Sequence, residues 1–417
     1  MIFQQAQDKF FDRDFMKVAL VHDFLTEFGG AERVLEALHE IYPNAPVFTA
    51  YYKTENLGPA AKRFKNWKII TNWGQKLPFW NRLQSPYRIF GPLIFESFDF
   101  RDYDLVVSST NTYFSKSIIT GPGTTHICYC HTPPRYLYGY PTARDWKKYF
   151  WGRLTGEAVN FFLRMADFAA AQRVDYFIAN SQEVRRRIEK FYRREAVVIY
   201  PPVDVKRFAR KTTKARPPTT EAVGFVGQAK RLMQKSALDV SRSAFSDYYL
   251  CVSRLARAKR IDLAILAANK LGFRLKVVGD GREKKNLEKI AGNSVEFFGE
   301  ISDEELISAY QNCKAVIFPA EDEDFGLVPV EAMAAGKPVI ALRSGGVRES
   351  VIDGKTGVFF DEPTAESLVK AIKQFNNLTI KPEDCIKQAE KFSKENFKNQ
   401  IKKFVEGKLQ AKPKLPS

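Results

Sequence analysis

Glu323 and Glu331 stand with seven residues between them in the stretch FPAEDEDFGLVPVEAMAAGKPVIA. A carboxylate can accept two hydrogen bonds from a vicinal diol, and backbone N–H groups at Gly326 and Leu327 can meet phosphate or sugar oxygens. Such a set suits a ligand that carries both hydroxyls and phosphate, as a nucleotide sugar does. Taken alone, the stretch also reads as a solvated acidic loop before an ordinary amphipathic helix. Arg254 and Lys259 flank LARA in a basic loop. Two cations on a diphosphate stabilise charge developing on a leaving group without a metal, although most basic loops are only solvated. His131 follows THICYC and precedes Thr132-Pro133-Pro134, which cannot continue a strand. There it can donate a hydrogen bond to a sugar hydroxyl, while a lone histidine is more often structural. Gly29 and Gly30 before a helix let backbone approach a ligand, but the GxGxxG spacing is absent and a tight turn explains them equally.

These residues need strand ends to hold them. KAVIFP reads as a buried parallel strand, DEDFGL as the loop after it, and PVEAMAA as a helix opened by Pro329 and closed by Gly336. Glu323 then lies at a strand's carboxyl end, where open α/β sheets bind ligands, and Glu331 lies in the first helical turns. KVALVHDF and GGAERVLEAL repeat the strand-turn-helix order, VVGDG adds Gly279 and Gly281, and SGGVRES adds Gly345 and Gly346 beside Arg348 and Glu349. The βα alternation predicts an α/β doubly wound fold in two Rossmann-like domains. Their expected limits are 16–204 and 248–384. Residues 1–15 form an extension, 205–247 a basic linker or insertion, 385–410 a helix crossing back to the first domain, and 411–417 a tail. That helix is expected to run from about Glu383 to Leu409 without a break.

The chain has 417 residues, 45% of them hydrophobic, enough for two cores. No apolar run reaches the ~20 residues of a membrane span and no signal peptide is visible, so a cytoplasmic location is expected. Five cysteines fit a reducing compartment. Cys128 and Cys130 are expected on opposite faces of a strand, and no metal site is expected. The net charge of +17 is uneven. Residues 61–90 hold Lys62, Arg63, Lys65, Lys68, Lys76, Arg82 and Arg88 with no acid, among Phe64, Trp67, Trp73, Phe79, Trp80, Tyr87 and Phe90. Cations mixed with aromatics suit an anionic membrane surface. A partly buried aromatic core under solvated cations is the plainer alternative. In VRRRIEKFYRR, Val184, Ile188, Phe191 and Tyr192 make one helical stripe and leave the cations mainly to solvent.

The donor stretch around Glu323 and Glu331, CVSRLARAKRIDLAI, HDFLTEFGGAERVLEAL and CYCHTPPRYLYG together resemble the retaining nucleotide-sugar glycosyltransferases of family 4, over roughly 17–200 and 248–395. In style they are closest to the O-antigen and polysaccharide mannosyltransferases. The resemblance implies the GT-B fold, with two Rossmann-like domains facing across a cleft. It implies a metal-independent, retaining hexose transfer, with mannose from GDP-mannose favoured, to a glycan or lipid-linked acceptor. His131, Glu323, Arg254 and Lys259 would then be catalytic. Donor binding would use Gly29, Gly30, Arg254, Lys259, Gly279, Glu323, Phe325, Gly326, Leu327 and Glu331. The acceptor or membrane side would carry Lys62, Arg63, Lys65, Lys68, Trp73, Trp80 and Arg135. No cofactor beyond the donor and no nucleic acid is implied, and the protein would sit peripherally on the inner membrane face. Three alternatives remain: a sugar-nucleotide epimerase or a phosphorylase of the same fold, a non-catalytic sugar-nucleotide-binding subunit of a polysaccharide assembly, and a basic nucleic-acid-binding protein, which would explain the charge but not the acidic, glycine-rich strand ends.

Overall fold

The computed structural model describes residues 16–83, 86–111, 114–140, 150–209 and 248–410. The expected extension 1–15, the tail 411–417 and most of the insertion 205–247 lie outside the described residues. The chain divides into two compact units.

The first unit takes the described residues up to Val203, the segment Asp322–Leu327 and the residues from Lys391. Among the described residues its sheet holds seven strands. They are β1 (Val18–His22), β2 (Val47–Thr49), β3 (Ile69–Ile70), β4 (Leu105–Thr110), β5 (Thr125–Cys130), β6 (Tyr176–Ala179) and β7 (Ala196–Val198). Their order is β3-β2-β1-β4-β5-β6-β7 and the pairings are parallel. A parallel sheet is covered on both faces, which is why β1 reads as a near-continuous apolar run and why β1 and β5 are buried at every position. One face, with Leu20, Val107, Ile127 and Tyr129, packs on helix α1 (Gly30–Ile41) through Val34, Leu35 and Leu38. The other carries Ala19, Val21 and Val106 toward helix α2 (Gly91–Glu96) and Leu163 of helix α3 (Phe150–Gln172). Farther along that face, Cys128, Cys130 and Ala179 meet Val184, Ile188 and Tyr192 of helix α4 (Gln182–Tyr192). This corrects the expectation for the two cysteines: positions i and i+2 of a strand share a face, and both thiols enter one cluster.

In the second unit the described sheet has six parallel strands. They are β8 (Tyr248–Val252), β9 (Arg274–Val278), β10 (Val295–Gly299), β11 (Ala315–Phe318), β12 (Val339–Leu342) and β13 (Gly357–Phe360), in the order β10-β9-β8-β11-β12-β13. Helices α5 (Ile261–Leu271), α6 (Asp303–Asn312), α7 (Leu327–Ala334) and α8 (Ala365–Asn376) belong to the crossovers. Ile265 and Ala268 of α5 and Leu368 and Ile372 of α8 close the main core against Cys251, Val277, Ile317 and Ile340. Val205–Ala209, expected as linker, is a short helix whose Phe208 ring meets Tyr310 edge-on at 5.5 Å.

The single helix expected over about 383–409 is two, α9 (Pro382–Glu390) and α10 (Lys394–Gln410). Between them the Val203 amide donates to the Phe392 carbonyl and the Lys394 amide to the Val203 carbonyl, a bridge that helical backbone cannot make. Beyond the break, Phe397, Ile401 and Val405 of α10 pack into the core under α1.

One ion pair holds α3 to the first sheet. Lys116, just after β4, and Asp167 of α3 are both fully buried, and Asp167 Oδ2 also accepts from the Tyr138 hydroxyl at 2.9 Å. Burial opposes the Lys116 charge, but Asp167 outweighs it and holds the ammonium above its ordinary value. Removing one partner strands the other charge, which costs about 3–5 kcal/mol. Asp167→Ala is therefore expected to lower the melting temperature by roughly 10 °C. Calorimetry checks this, and an unchanged melting temperature would exclude the pair as the anchor of α3.

Candidate functional site

Strand order reverses between β1 and β4 in the first unit, and there the carboxyl ends of the strands open a crevice. His22 and Asp23 come from the end of β1, Ser109 and Thr110 from β4, and His131 from the residue after β5. All five are buried. Asp23 accepts from the amides of Asn111 at 2.8 Å and Ser115 at 3.1 Å and from the Thr110 hydroxyl at 3.4 Å. Ser109 Oγ lies 3.1 Å from His22 Nδ1 and 2.8 Å from His131 Nε2. His22 Nε2 lies 3.4 Å from Glu32 Oε1. The Gly29 amide, expected to face a ligand, donates to Glu32 Oε2 at 2.7 Å as half of a capping box at the start of α1. Gly30 is the exposed first residue of that helix. Burial, and then the neighbouring His22, lower the His131 pKa to about 4.

Glu323 lies half-buried in the segment Asp322–Leu327 of the same unit. Asp322 and Gly326 have positive φ, 49° and 86°, so the segment is a tight turn. Phe325 points inward, its ring 5.4 Å from Tyr200 and 5.3 Å from Phe392, so only its backbone faces outward chemistry. Helix α7 starts at Leu327, two residues before the expected Pro329. Arg135, expected toward an acceptor, donates through Nη2 to the Asp322 carbonyl. Arg187 was missed. It is buried, pairs with Asp324, donates to Thr132 Oγ1 at 3.1 Å and lies 4.2 Å over the Tyr140 ring. Its place was legible, because residue 187 falls between Val184 and Ile188 on the apolar stripe of α4.

Lys62, Arg63, Lys65, Lys68, Lys76 and Arg82 are exposed, and Arg63 pairs with Glu36 at 3.0 Å. Phe64 and Trp67 belong to the core beneath them. Trp73 is 38% and Phe79 71% exposed. Trp80 stacks on Tyr51 with ring centroids 5.0 Å apart. Trp80, Phe79, Tyr52, Lys53, Glu55 and Gln75 line an open cleft of about 500 Å³.

In the second unit the reversal lies between β8 and β11. Arg254, exposed, and Lys259, half-buried, occupy the loop after β8. Both flanks pin that loop. Leu255 donates to Asp280 at 2.8 Å, Glu283 to Leu255 at 3.1 Å, and Glu321 to Ala258 at 3.0 Å, all through backbone amides. Arg260, overlooked in the sequence, sits at φ 48° and bonds Glu321 and Asp262. Gly279 and Gly281, expected near a nucleotide, owe their identity to this packing. A Cβ at Gly279 (φ 120°) would lie 2.0 Å from the Ser253 carbonyl oxygen, and one at Gly281 (φ 158°) 2.3 Å from that of Leu255. Gly345 has φ 70°, and the Arg348 Nε donates to its carbonyl at 3.1 Å. Glu331 on α7 is 3% exposed, and its Oε2 accepts from the buried Tyr310 hydroxyl at 2.8 Å. Glu323 thus falls with the first unit and Glu331 with the second. Among the described residues no group of three or more His, Cys, Asp or Glu side chains could hold a metal ion, and no helix is long and apolar enough to cross a membrane.

The family model described as Glycosyltransferase Family 4 matches residues 28–207, and the one described as Glycosyl transferases group 1 matches residues 242–392. The chain is 31% identical to human alpha-1,3/1,6-mannosyltransferase ALG2 over 37% of its own length and 44% of the relative's. It is 39% identical to a GDP-mannose-dependent alpha-mannosyltransferase of Mycolicibacterium smegmatis over 26% and 29%. The matches span between about a seventh and three-fifths of the length of these curated relatives. The crystal structure of Anabaena HepE in complex with UDP superposes with TM-score 0.64 and 19% identity, covering 94% of this chain and all of that one, which shows a shared fold.

Two outcomes follow from this geometry. Tyr310→Phe removes one hydrogen bond to Glu331, about 1 kcal/mol, so if Glu331 holds a ribose, as the resemblance implies, nucleotide affinity measured by calorimetry is expected to fall about fivefold with the fold intact. An unchanged affinity would take Glu331 out of the binding site. Burial also lowers the His126 pKa to about 3, with Arg173 adding to it. Both His126 and His131 are therefore neutral in the fold, while the unfolded chain takes up their protons below about pH 6.5. Stability is complete above that pH and declines as pH falls toward about 4. Urea midpoints at about pH 7.5 and 5 should show the loss, and His126→Asn should flatten it.

Proposed function

We propose, for a chain that belongs to glycosyltransferase family 4 and has the GT-B fold, that it transfers a hexose from a nucleotide sugar to a glycan or lipid-linked glycan with retention of configuration. The observation that carries this reading is the basic loop Arg254–Lys259, fixed by backbone bonds at the strand-order reversal of the second unit. In the transfer, the bond from the anomeric carbon to the diphosphate oxygen breaks, and the acceptor oxygen bonds that carbon on the same face. The acceptor's proton passes to the departing phosphate oxygen. Arg254 and Lys259 hold the diphosphate as its charge grows, and Glu331 holds the ribose. His131 and Glu323 serve the sugar, with the amides of Gly326 and Leu327. No step requires a metal. GDP-mannose is the proposed donor, because mannosyltransferases are among the matched relatives, one of them GDP-mannose-dependent.

We assign the acceptor to the first unit, whose cleft beside Trp80 and Phe79 offers aromatic faces with polar groups between them. A lipid carrier requires a foothold on an anionic cytoplasmic membrane surface. The exposed cations at 62–82 supply attraction of about 1 kcal/mol each near such a surface. Apolar side chains stand out beside them: Leu93 on α2 is 56% exposed, and Phe161, Phe162 and Met165 on α3 are 53%, 67% and 58% exposed. Helices α2 and α3 are in contact, so these residues share one region of the surface.

Donor turnover across GDP-, UDP- and ADP-sugars with EDTA present tests the first reading. Activity is expected with GDP-mannose and is expected to survive EDTA. Arg254→Ala and Lys259→Ala should each lower it tenfold to a hundredfold, from losing charge-assisted bonds of about 1.5–3 kcal/mol. Two variants within twofold of wild type would remove the clamp. For the membrane, co-sedimentation with anionic vesicles should weaken as salt rises and should fail in a variant with Lys62, Arg63, Lys65 and Lys68 all replaced by Gln. Equal sedimentation of that variant would point to a soluble acceptor.

A further inference from the structure

The hydrogen bonds from Glu32 to His131 have a direction. Both Glu32 oxygens face donors, the Gly29 amide at 2.7 Å and His22 Nε2 at 3.4 Å. An ionised carboxylate only accepts, so the His22 proton sits on Nε2. With a single proton on the His22 ring, Nδ1 is bare and accepts the Ser109 hydroxyl proton at 3.1 Å. Having spent its proton, Ser109 Oγ can only accept at its other contact, from His131 Nε2 at 2.8 Å. The His131 proton is thereby placed on Nε2, and its Nδ1 carries a lone pair. No group among the described residues bonds that nitrogen. The lowered pKa of His131 agrees, because the ring stays neutral near neutral pH.

We propose that Glu32, His22 and Ser109 are positioning residues that fix the tautomer of His131, so that its Nδ1 accepts a hydrogen bond from a ligand hydroxyl. This rests on the proposed transfer for the identity of the ligand, and it reverses the expectation that His131 donates. A sugar hydroxyl carries the proton this nitrogen needs. A phosphate oxygen presents lone pairs to a lone pair, so this end of the first unit selects the sugar and disfavours the diphosphate.

Nuclear magnetic resonance of the full chain labelled with 15N-histidine, at a pH near 8, tests it, since long-range proton-nitrogen correlations tell a protonated ring nitrogen from a bare one. With four histidines, single His→Gln variants assign the signals. The expected pattern in the wild type is a protonated Nε2 and a bare Nδ1 on His131. Ser109→Ala and Glu32→Ala should each turn the His131 signals into a mixture of tautomers, which a merely structural role would not do. A wild-type His131 protonated on Nδ1, or a tautomer unmoved in Ser109→Ala, overturns the proposal. The wild-type spectrum decides even if Glu32→Ala does not fold. Donor turnover of Ser109→Ala should fall about threefold to tenfold, the worth of one neutral hydrogen bond. A wild-type protein with the expected tautomer and no transfer to any acceptor would sink the function and leave the relay standing. The reverse result would sink only the relay.

Discussion

A parallel strand can pair with its neighbour only if the chain first returns along the whole sheet, and that return constrains everything else in both units. Each strand therefore ends at the same edge and each loop leaves from it. His22, Ser109 and His131 are far apart in sequence, yet their places at the ends of β1, β4 and β5 bring their ring and hydroxyl atoms within 3.1 Å. The same constraint in the second unit places Arg254 after β8, Gly279 after β9 and Glu321 after β11. Side chains at such an edge are positioned by the ladder beneath them. This is how a site can be held with little help from bound ligands.

The first unit also buries charge, at Lys116 and Asp167 and at Arg187 and Asp324. Neither pair is an efficient source of stability, because desolvating both ions nearly cancels their attraction. What such pairs supply is position. Lys116 can meet Asp167 in one seating of α3, and Arg187 reaches Thr132 and Asp324 together only with the segment after β11 in its tight turn. A leucine core would tolerate a slipped helix, whereas a displaced ion pair leaves a bare charge in a dry interior.

Much of this was legible in the sequence, for physical reasons that also mark where legibility ends. Near-continuous apolar runs show β1, β8 and β11, because burial on both faces leaves no polar alternation. Glycine-rich turns at strand ends show where loops start, but not what they approach. At Gly279 the Ser253 carbonyl already demands the missing Cβ, so glycine there does not by itself point to a phosphate, since close approach to backbone and to phosphate read alike. Phe325 sits in a motif yet faces Tyr200 and Phe392, because a motif gives spacing and not the direction of a side chain. The break between α9 and α10 has no glycine or proline to announce it. It arises from a bridge to Val203, almost two hundred residues earlier in the chain. Arg187 needed only a stricter use of the helical period.

The relay from Glu32 to His131 lies beyond any sequence signal, since it depends on which atom of each ring faces which neighbour. It also gives the two units opposite electrostatic characters. At the strand ends of the first, Asp23 and Glu32 are already taken by amides and by His22, and His131 offers a lone pair. An anion finds no partner in that set and a hydroxyl does. At the strand ends of the second, Arg254, Lys259 and Arg260 gather on one loop, where Glu321 and Asp262 pair with Arg260. Clustered cations of this kind suit charge-assisted hydrogen bonds to an anion. The two characters arise separately, each from the side chains that its own sheet brings to its strand ends, and each discriminates by what it lacks: a lone pair repels an anion, and a cation gains little from a neutral hydroxyl.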